Sequence, residues 1–486
     1  MKRMSRDNFG IALPIVVIIA SVATLLAFTV ALVVQNQSVS NIKYAGQNKA
    51  LNIAEAGIAR YMWHLNKDSE YYKKEEYSRD ELRPNAIVEF NQDGYSGAYY
   101  IQVEPPTTNY PVLTIRCTAW LIEDPSNRVT IQIKTRKKEF VQSVYGSDNE
   151  FNTEGKRVYW VTGDEVYGPI HTNGDLYIDG NPIFHNKVTY SGKLNVAYGS
   201  RPVYEEGIPQ KVAPLTFPPS NSQLKTHAKI NGHYYNGRTC IYLKGSSMDV
   251  LTFDGDKGEW KRYNNRPLPS NGVIYVDGTE TQDPRYKWDT YMGNVFISGT
   301  LKGRLTIAAA NNIYITAKDP TDSYRNAQPT RGIVYNTPAF DPAGNEQQTD
   351  DMLGLVANGF VRILEQDWPS TSYWNYEWVG NVAPYKISIH AAIFALNWSF
   401  ELENYNSAPA LDTVYLVGAI TQKYRGAVGT YYSGSYNKKV VSGYKKVYRH
   451  DPRMAYDTPP HFLEPVNAGW EIIDWTKLPP EDIPGV

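Results

Sequence analysis

The chain opens with ten residues carrying Lys2, Arg3 and Arg6 and ending in Gly10, and then runs apolar from Ile11 to Val34, with Ser21, Thr24 and Thr29 as the polar interruptions. About 24 residues at ~1.5 Å each make roughly 36 Å of helix, enough to cross a bilayer core of about 30 Å. The run is longer than a secretory signal core and is followed by Gln35-Asn36-Gln37-Ser38 rather than a small-residue cleavage site, so it reads as a retained span. The leading cations, with Lys43 as the first one beyond the span, put the N-terminus in the cytoplasm and the bulk of the chain outside the cytoplasmic membrane, in a single pass.

Helical periodicity continues past the span. Val39, Ile42, Gly46, Ala50, Ile53, Ala54, Gly57, Ile58, Tyr61, Met62 and Leu65 recur at intervals of three and four, which predicts one helix from about Ile11 to Asn66. Residues 11–34 form its membrane part and 35–66 an amphipathic stalk. Gly46, Ala50, Ala54 and Gly57 make a small-residue stripe, suited to close approach by a neighbouring helix or by a sheet of the same chain.

Beyond Leu65 the period changes to that of strands. Asp68–Asp93 is polar, a connection or a solvated face. Alternation then predicts strands at Ala86–Phe90, Gly97–Val103, Val112–Trp120 and Val129–Thr135, a small antiparallel module over 67–145. From about residue 146 to 486 short aliphatic runs follow: Leu176–Ile178, Val273–Val276, Val295–Ile297, Leu305–Ala308, Ile313–Ile315, Leu353–Val356, Ile387–Ile393 and Val414–Val417. Several recur about 18 to 25 residues apart, the period of one β-solenoid coil, with Gly278, Gly293, Gly299, Gly303 and Asn312 as corners where φ is expected to be positive. A β-sandwich with irregular loops is the alternative. The fold class is thus α+β, mainly β, and residues from about 70 onward are expected to fold as a soluble β-rich body.

Composition changes this picture in few places. A formal net charge of −1 gives no electrostatic footprint for nucleic acid. The 38 tyrosines fit half-wet strand faces, or a stacking surface for glycans. Cys117 alternates with Leu113, Ile115 and Ala119 on an inward face, and Cys240 lies far along the chain; two buried thiols and a disulfide between them are both allowed outside the cell.

The basic leader ending in Gly10, the adjoining apolar helix and Ala54-Glu55-Ala56-Gly57-Ile58 near its far end resemble the N-terminus of type IV pilins, particularly PilX-like minor pilins. The resemblance implies cleavage between Gly10 and Ile11 by a prepilin peptidase, a helix-plus-sheet pilin module, and association with other pilins or pilus assembly proteins. Pilins usually carry a glutamate at the fifth mature position. This chain has Ile15 there, which fits a minor or atypical component better than a main fibre subunit.

The distal part resembles a family of bacterial surface proteins defined as a domain of unknown function and often placed behind a prepilin-like N-terminus. The residues that carry it are Gly168-Pro169-Ile170-His171-Thr172-Asn173-Gly174-Asp175-Leu176-Tyr177-Ile178, Asn181-Pro182, Gly299–Ala308, Asp350–Ala357, Ile389–Ile393, Gln422–Gly429 and Asp451-Pro452-Arg453. That family implies no catalytic residues.

Candidate chemistry is sparse. Asp164, Glu165, His171, Asp175 and Asp179 crowd one region, but aspartates at turns ordinarily satisfy their own backbone. His171, Asp175 and Asp179 are the most site-like residues, and Asp175, Asp179, Asp350 and Asp351 could supply oxygen ligands to a structural calcium, the one cofactor considered. His390 falls on an apolar strand and reads as packed. Lys423 and Arg425 read as a solvated basic pair, with Asp350 or Asp351 as alternative partners. The reading is a membrane-anchored, pilin-like structural or adhesive surface protein without catalytic residues, its partners the lipid bilayer, other pilins and surface glycans. The alternative is a membrane-tethered β-helix that binds or cleaves polysaccharide, marked by an aromatic groove with two carboxylates about 5 to 9.5 Å apart.

Overall fold

The computed structural model describes residues 9–92, 94–107, 112–281, 286–322, 327–365, 382–431, 440–466 and 468–483. The leader cations Lys2, Arg3 and Arg6 lie outside them. The predicted helix is present as α1 (Phe9–Lys67), 59 residues long and therefore about 88 Å at ~1.5 Å per residue. It is long and apolar enough to cross a membrane, and from Leu13 to Val34 its large apolar side chains are exposed. Ser21, Thr24 and Thr29 return their hydroxyls to the carbonyls of Val17, Ala20 and Leu25, so these polar groups are satisfied within the helix.

The chain divides into two units, the first made of Met1–Pro106, Val112–Arg136 and Gly469–Val486. Four antiparallel strands follow α1 in sequence: β1 (Ile87–Gln92), β2 (Tyr95–Glu104), β3 (Val112–Leu121) and β4 (Asp124–Lys137). A fifth strand, Trp470–Leu478, lies beside β4. This corrects the boundary drawn at residue 146, which assigns the C-terminus to the distal domain. Thr135 donates to the Glu471 carbonyl at 2.8 Å, and Trp470 donates its indole N–H to Ser69 and its backbone N–H to Asn66. The segment after residue 67 is also less solvated than its composition implies. Tyr71 and Leu82 are each 1% exposed, joined by a hydrogen bond from the Tyr71 hydroxyl to the Leu82 carbonyl.

The stalk periodicity is explained by the sheet. Ala50, Ile53, Ala54, Ile58, Tyr61 and Leu65 pack with Tyr99, Ile101, Ile115, Cys117 and Ile133 in one core. The small-residue stripe is occupied by this chain's own side chains: a Cβ on Gly57 would stand 2.9 Å from Tyr99 and 3.0 Å from the Cys117 sulfur, and one on Gly46 would stand 2.8 Å from Asn127. A fragment starting near residue 70 would leave the inner face of this sheet uncovered.

The second unit comprises Thr107–Pro111 and Lys137–Ala468. It is β-rich, and every short run predicted in it is a strand. An antiparallel set joins Thr239–Gly245, Ser247–Asp254 and Glu259–Pro267. Most other ladders are parallel. One row passes from His233–Asn236 through Val273–Asp277, Arg304–Ala309, Met352–Ala357 and Lys386–Ala395 to Ala410–Tyr424. It then continues out of sequence order, to Tyr145–Asn149, Ile170–Thr172, Val188–Tyr190 and Gln210–Lys211. The earliest strands of the unit thus stack on its late strand Ala410–Tyr424.

Two glycines let single strands serve two rows. Gly418 (φ 150°) sits where Ala410–Tyr424 changes partner, from Val440–His450 on one side to Tyr145–Asn149 on the other, and a Cβ there would stand 2.0 Å from the Ala391 carbonyl. Gly299 (φ 114°) does the same between Ile313–Ile315 and Gly332–Tyr335. Gly293 and Asn312 are not at positive φ, contrary to expectation. Asn312 instead accepts the Phe360 N–H at 2.7 Å and donates its backbone N–H to Asn294, a ladder of asparagines between rungs.

Most of the described tyrosines are half-buried or exposed, as half-wet positions require, and a smaller set belongs to the cores. Tyr61, Tyr71, Tyr99, Tyr314, Tyr335 and Tyr444 are among the largest fully buried side chains. Both cysteines are free thiols. Burial raises both thiols, that of Cys240 to about 11, which suits packing rather than redox chemistry.

Because Gly57 faces Tyr99 and Cys117, Gly57→Leu is expected to destabilise the first unit itself, by about 1–3 kcal/mol from overpacking. Urea denaturation of the full chain in detergent checks this; an unchanged midpoint would return the stripe to a neighbouring helix.

Candidate functional site

In parallel strands, residues at matched positions stand side by side, and the pairing of Ile420 with Tyr145 and Gln422 with Ser147 carries two oppositely charged pairs into register. Lys423 meets Asp148 at 2.5 Å and Arg425 meets Glu150 at 2.6 Å, each pair 275 residues apart in sequence. These partners replace the solvated face, and the bridge to Asp350 or Asp351, expected for Lys423 and Arg425. Arg425 and Glu150 are almost wholly enclosed, with side chains 3% and 0% exposed. Glu150 is further satisfied by the Ser147 hydroxyl at 2.5 Å and the Tyr145 hydroxyl at 3.4 Å, while Arg425 also donates to the Val158 carbonyl. The guanidinium lies 4.0 Å from the Trp160 ring centre and 5.5 Å from that of Tyr145.

A second in-register pair stands on the neighbouring row. Tyr448 pairs with Val166, which sets Lys446 beside Asp164 at 3.1 Å. Lys446 is 5.1 Å from the Trp160 ring centre, and burial lowers its ammonium pKa, opposed by the Asp164 carboxylate. Trp160 therefore carries two cations close to its ring, each neutralised by a buried carboxylate.

These groups border a cavity of about 520 Å³. Its wall includes Tyr145, Tyr159, Trp160, Phe400 and Tyr448, the cations Arg157, Arg425 and Lys446, and the carboxylate of Asp179. Glu150 and Asp164 are not among the lining residues; they neutralise Arg425 and Lys446.

Of the residues singled out in the sequence, Asp179 lines this cavity and is exposed. His171 is buried in the ladder, its ring nitrogens 3.0 Å from the Thr189 hydroxyl and 2.9 Å from Asn173 Oδ1, and burial lowers its pKa. Asp175 accepts the Lys193 N–H and the Tyr177 hydroxyl, as a turn carboxylate does. Asp351 accepts the N–H groups of Gly303 and Thr337, whereas Asp350 is exposed. Among the described residues, no group of three His, Cys, Asp or Glu side chains is placed to hold a metal ion, so the four aspartates considered for calcium are not brought together. Ala50, Ala54 and Gly57 are buried in the first unit, half-buried Gly46 faces Asn127, and Gly10 and Ile11 lie in the first turn of α1.

Sequence reasoning missed Tyr145, Glu150, Trp160, Arg425 and Lys446 as a set. The signal was present as Asp148 and Glu150 matching Lys423 and Arg425 at the same spacing of two, but it becomes readable only when the strands are known to be neighbours.

Arg425→Met is expected to cost about 3–5 kcal/mol, because it strands Glu150 as an uncompensated buried charge. Adding Glu150→Gln should restore most of the loss, read by chemical denaturation followed through tryptophan fluorescence. His390 gives a pH dependence: burial lowers its pKa from 6.5 to about 4, and its Nδ1 accepts the Tyr335 N–H at 3.1 Å. The unfolded chain binds this proton near pH 6.5 and the folded chain does not. The contribution is therefore complete above pH 6.5 and is lost as pH falls towards 4. His390→Gln should flatten this part of the stability profile.

No protein-family model matches the chain, and no curated protein matches it. Among solved structures, the competence-associated pilin ComZ from Thermus thermophilus is similar to it with 11% identity and a TM-score of 0.28, over 89% of this chain and 97% of that chain.

Proposed function

We propose that this protein is a membrane-anchored, pilin-like component of the cell envelope, a minor or atypical type IV pilus protein that works by assembly and display rather than by turnover. The observation that carries the reading is α1: one continuous helix, exposed and apolar from Leu13 to Val34, then packed from Ala50 to Leu65 on an antiparallel sheet. A helix built so has one half matched to lipid or to the apolar helices of neighbouring subunits, and the other half fixed to a folded body. The leader ending at Gly10 and the Ala54–Ile58 motif, both pilin-like, agree with it. In this reading the N-terminus faces the cytoplasm and both folded units lie outside.

The second unit is, in the same proposal, a β-solenoid. Its support is the long parallel row with successive rungs such as His171, Thr189 and Gln210, spaced 18 and 21 residues apart, and the corner bends at Gly299 and Gly418. A sandwich would pair its strands chiefly antiparallel. Such a body offers a long side wall for contact with surfaces or glycans.

N-terminal sequencing of protein extracted from membranes of its native host should return Ile11, and Gly10→Val should block that processing while leaving the chain membrane-bound. Dominant recovery of Met1 would overturn the pilin reading and leave a plain single-pass anchor.

A further inference from the structure

We propose that the cavity beside Trp160 binds a carboxylate-bearing sugar, a uronate residue of an acidic polysaccharide. Its volume of about 520 Å³ falls within the range of about 300–1,000 Å³ usual for ligand sites. Two features of the wall select the chemistry. The first is aromatic: Tyr159, 37% exposed, lines the space together with Tyr448. The weakly polarised C–H face of a pyranose stacks on such rings while its hydroxyls stay free for hydrogen bonds.

The second is an excess of donors. Arg157, Arg425 and Lys446 line the space against the single lining carboxylate of Asp179. An ammonium has three N–H donors, and Lys446 directs one to Asp164. Donors that line the space match a ligand rich in acceptors, and a carboxylate together with ring hydroxyls supplies them. Arg157, an exposed lining residue held over the Tyr177 ring at 5.2 Å, is the cation assigned to the carboxylate.

This assignment deepens the display reading, on which its biological sense rests, but it is tested by a measurement independent of membrane processing. Isothermal titration of the full chain in detergent with digalacturonate should give saturable binding. A neutral digalactose of the same length should bind about tenfold more weakly or worse, the scale of one charge-assisted hydrogen bond. Arg157→Gln and Tyr159→Ala, both at exposed positions, should each weaken digalacturonate binding by about tenfold at an unchanged denaturation midpoint. The proposal fails if folded protein shows no saturable binding, if the neutral disaccharide binds equally well, or if neither variant changes the affinity. Displacement of the sugar by inorganic phosphate at equal concentration would also overturn it, since the wall would then be a general anion site. N-terminal recovery of Ile11 alongside any of these failures would leave the pilus reading standing without the sugar.

Discussion

The second unit depends on a junction made out of sequence order, where Tyr145–Asn149 lies against the late strand Ala410–Tyr424. Backbone pairing alone would tolerate a slip. The buried Arg425–Glu150 pair does not, because displacement by one residue would leave both charges enclosed and unpaired. Lys423–Asp148 repeats the constraint two residues earlier, and Lys446–Asp164 applies it on the next row. A buried ion pair contributes little net stability compared with an apolar replacement, so its consequence here is register: it specifies which early strand meets which late one.

That register also builds the cavity. Trp160 lies close to the cations of both Arg425 and Lys446, and Phe400, Gln422 and Tyr448 come from strands remote in sequence. Glu150 and Asp164 balance Arg425 and Lys446, and Asp179 is the carboxylate that lines the space.

The first unit uses a different device. Its sheet needs a cover on its inner face, and α1 supplies it through residues spaced three and four apart, so the segment that continues the exposed apolar half of α1 is also core. The last strand, Trp470–Leu478, is contributed from the far end of the chain and ties back to Asn66 and Ser69 through Trp470. Segments from opposite sides of the second unit in sequence, residues 50–65 and Trp470–Leu478, thus belong to one sheet-and-helix body, and most of the polypeptide between β4 and Gly469 forms the second unit.

Local patterning by itself determined part of the elements. The long helix was legible because an apolar run and a repeat of three and four are properties of neighbouring residues, the strands β1 to β4 from alternation, and eight distal strands from short aliphatic runs, whereas Ser222–Asn231, the strands within 239–267 and Val440–His450 are not among the predicted elements. What only the tertiary structure decided was partnership. Gly57 has the same sequence signature whether it faces another helix or, as found, Tyr99 and Cys117. Trp470–Leu478 is not predicted as a strand, and its place beside β4 appears only in the fold. Lys423 and Arg425 look solvated because their partners are 275 residues away, and His171 looks like a site residue until Thr189 and Asn173 are seen to satisfy it. The physical reason is common to all four: burial and charge compensation depend on the neighbour across the ladder, and that neighbour is chosen by stacking over the whole unit rather than by the local chain.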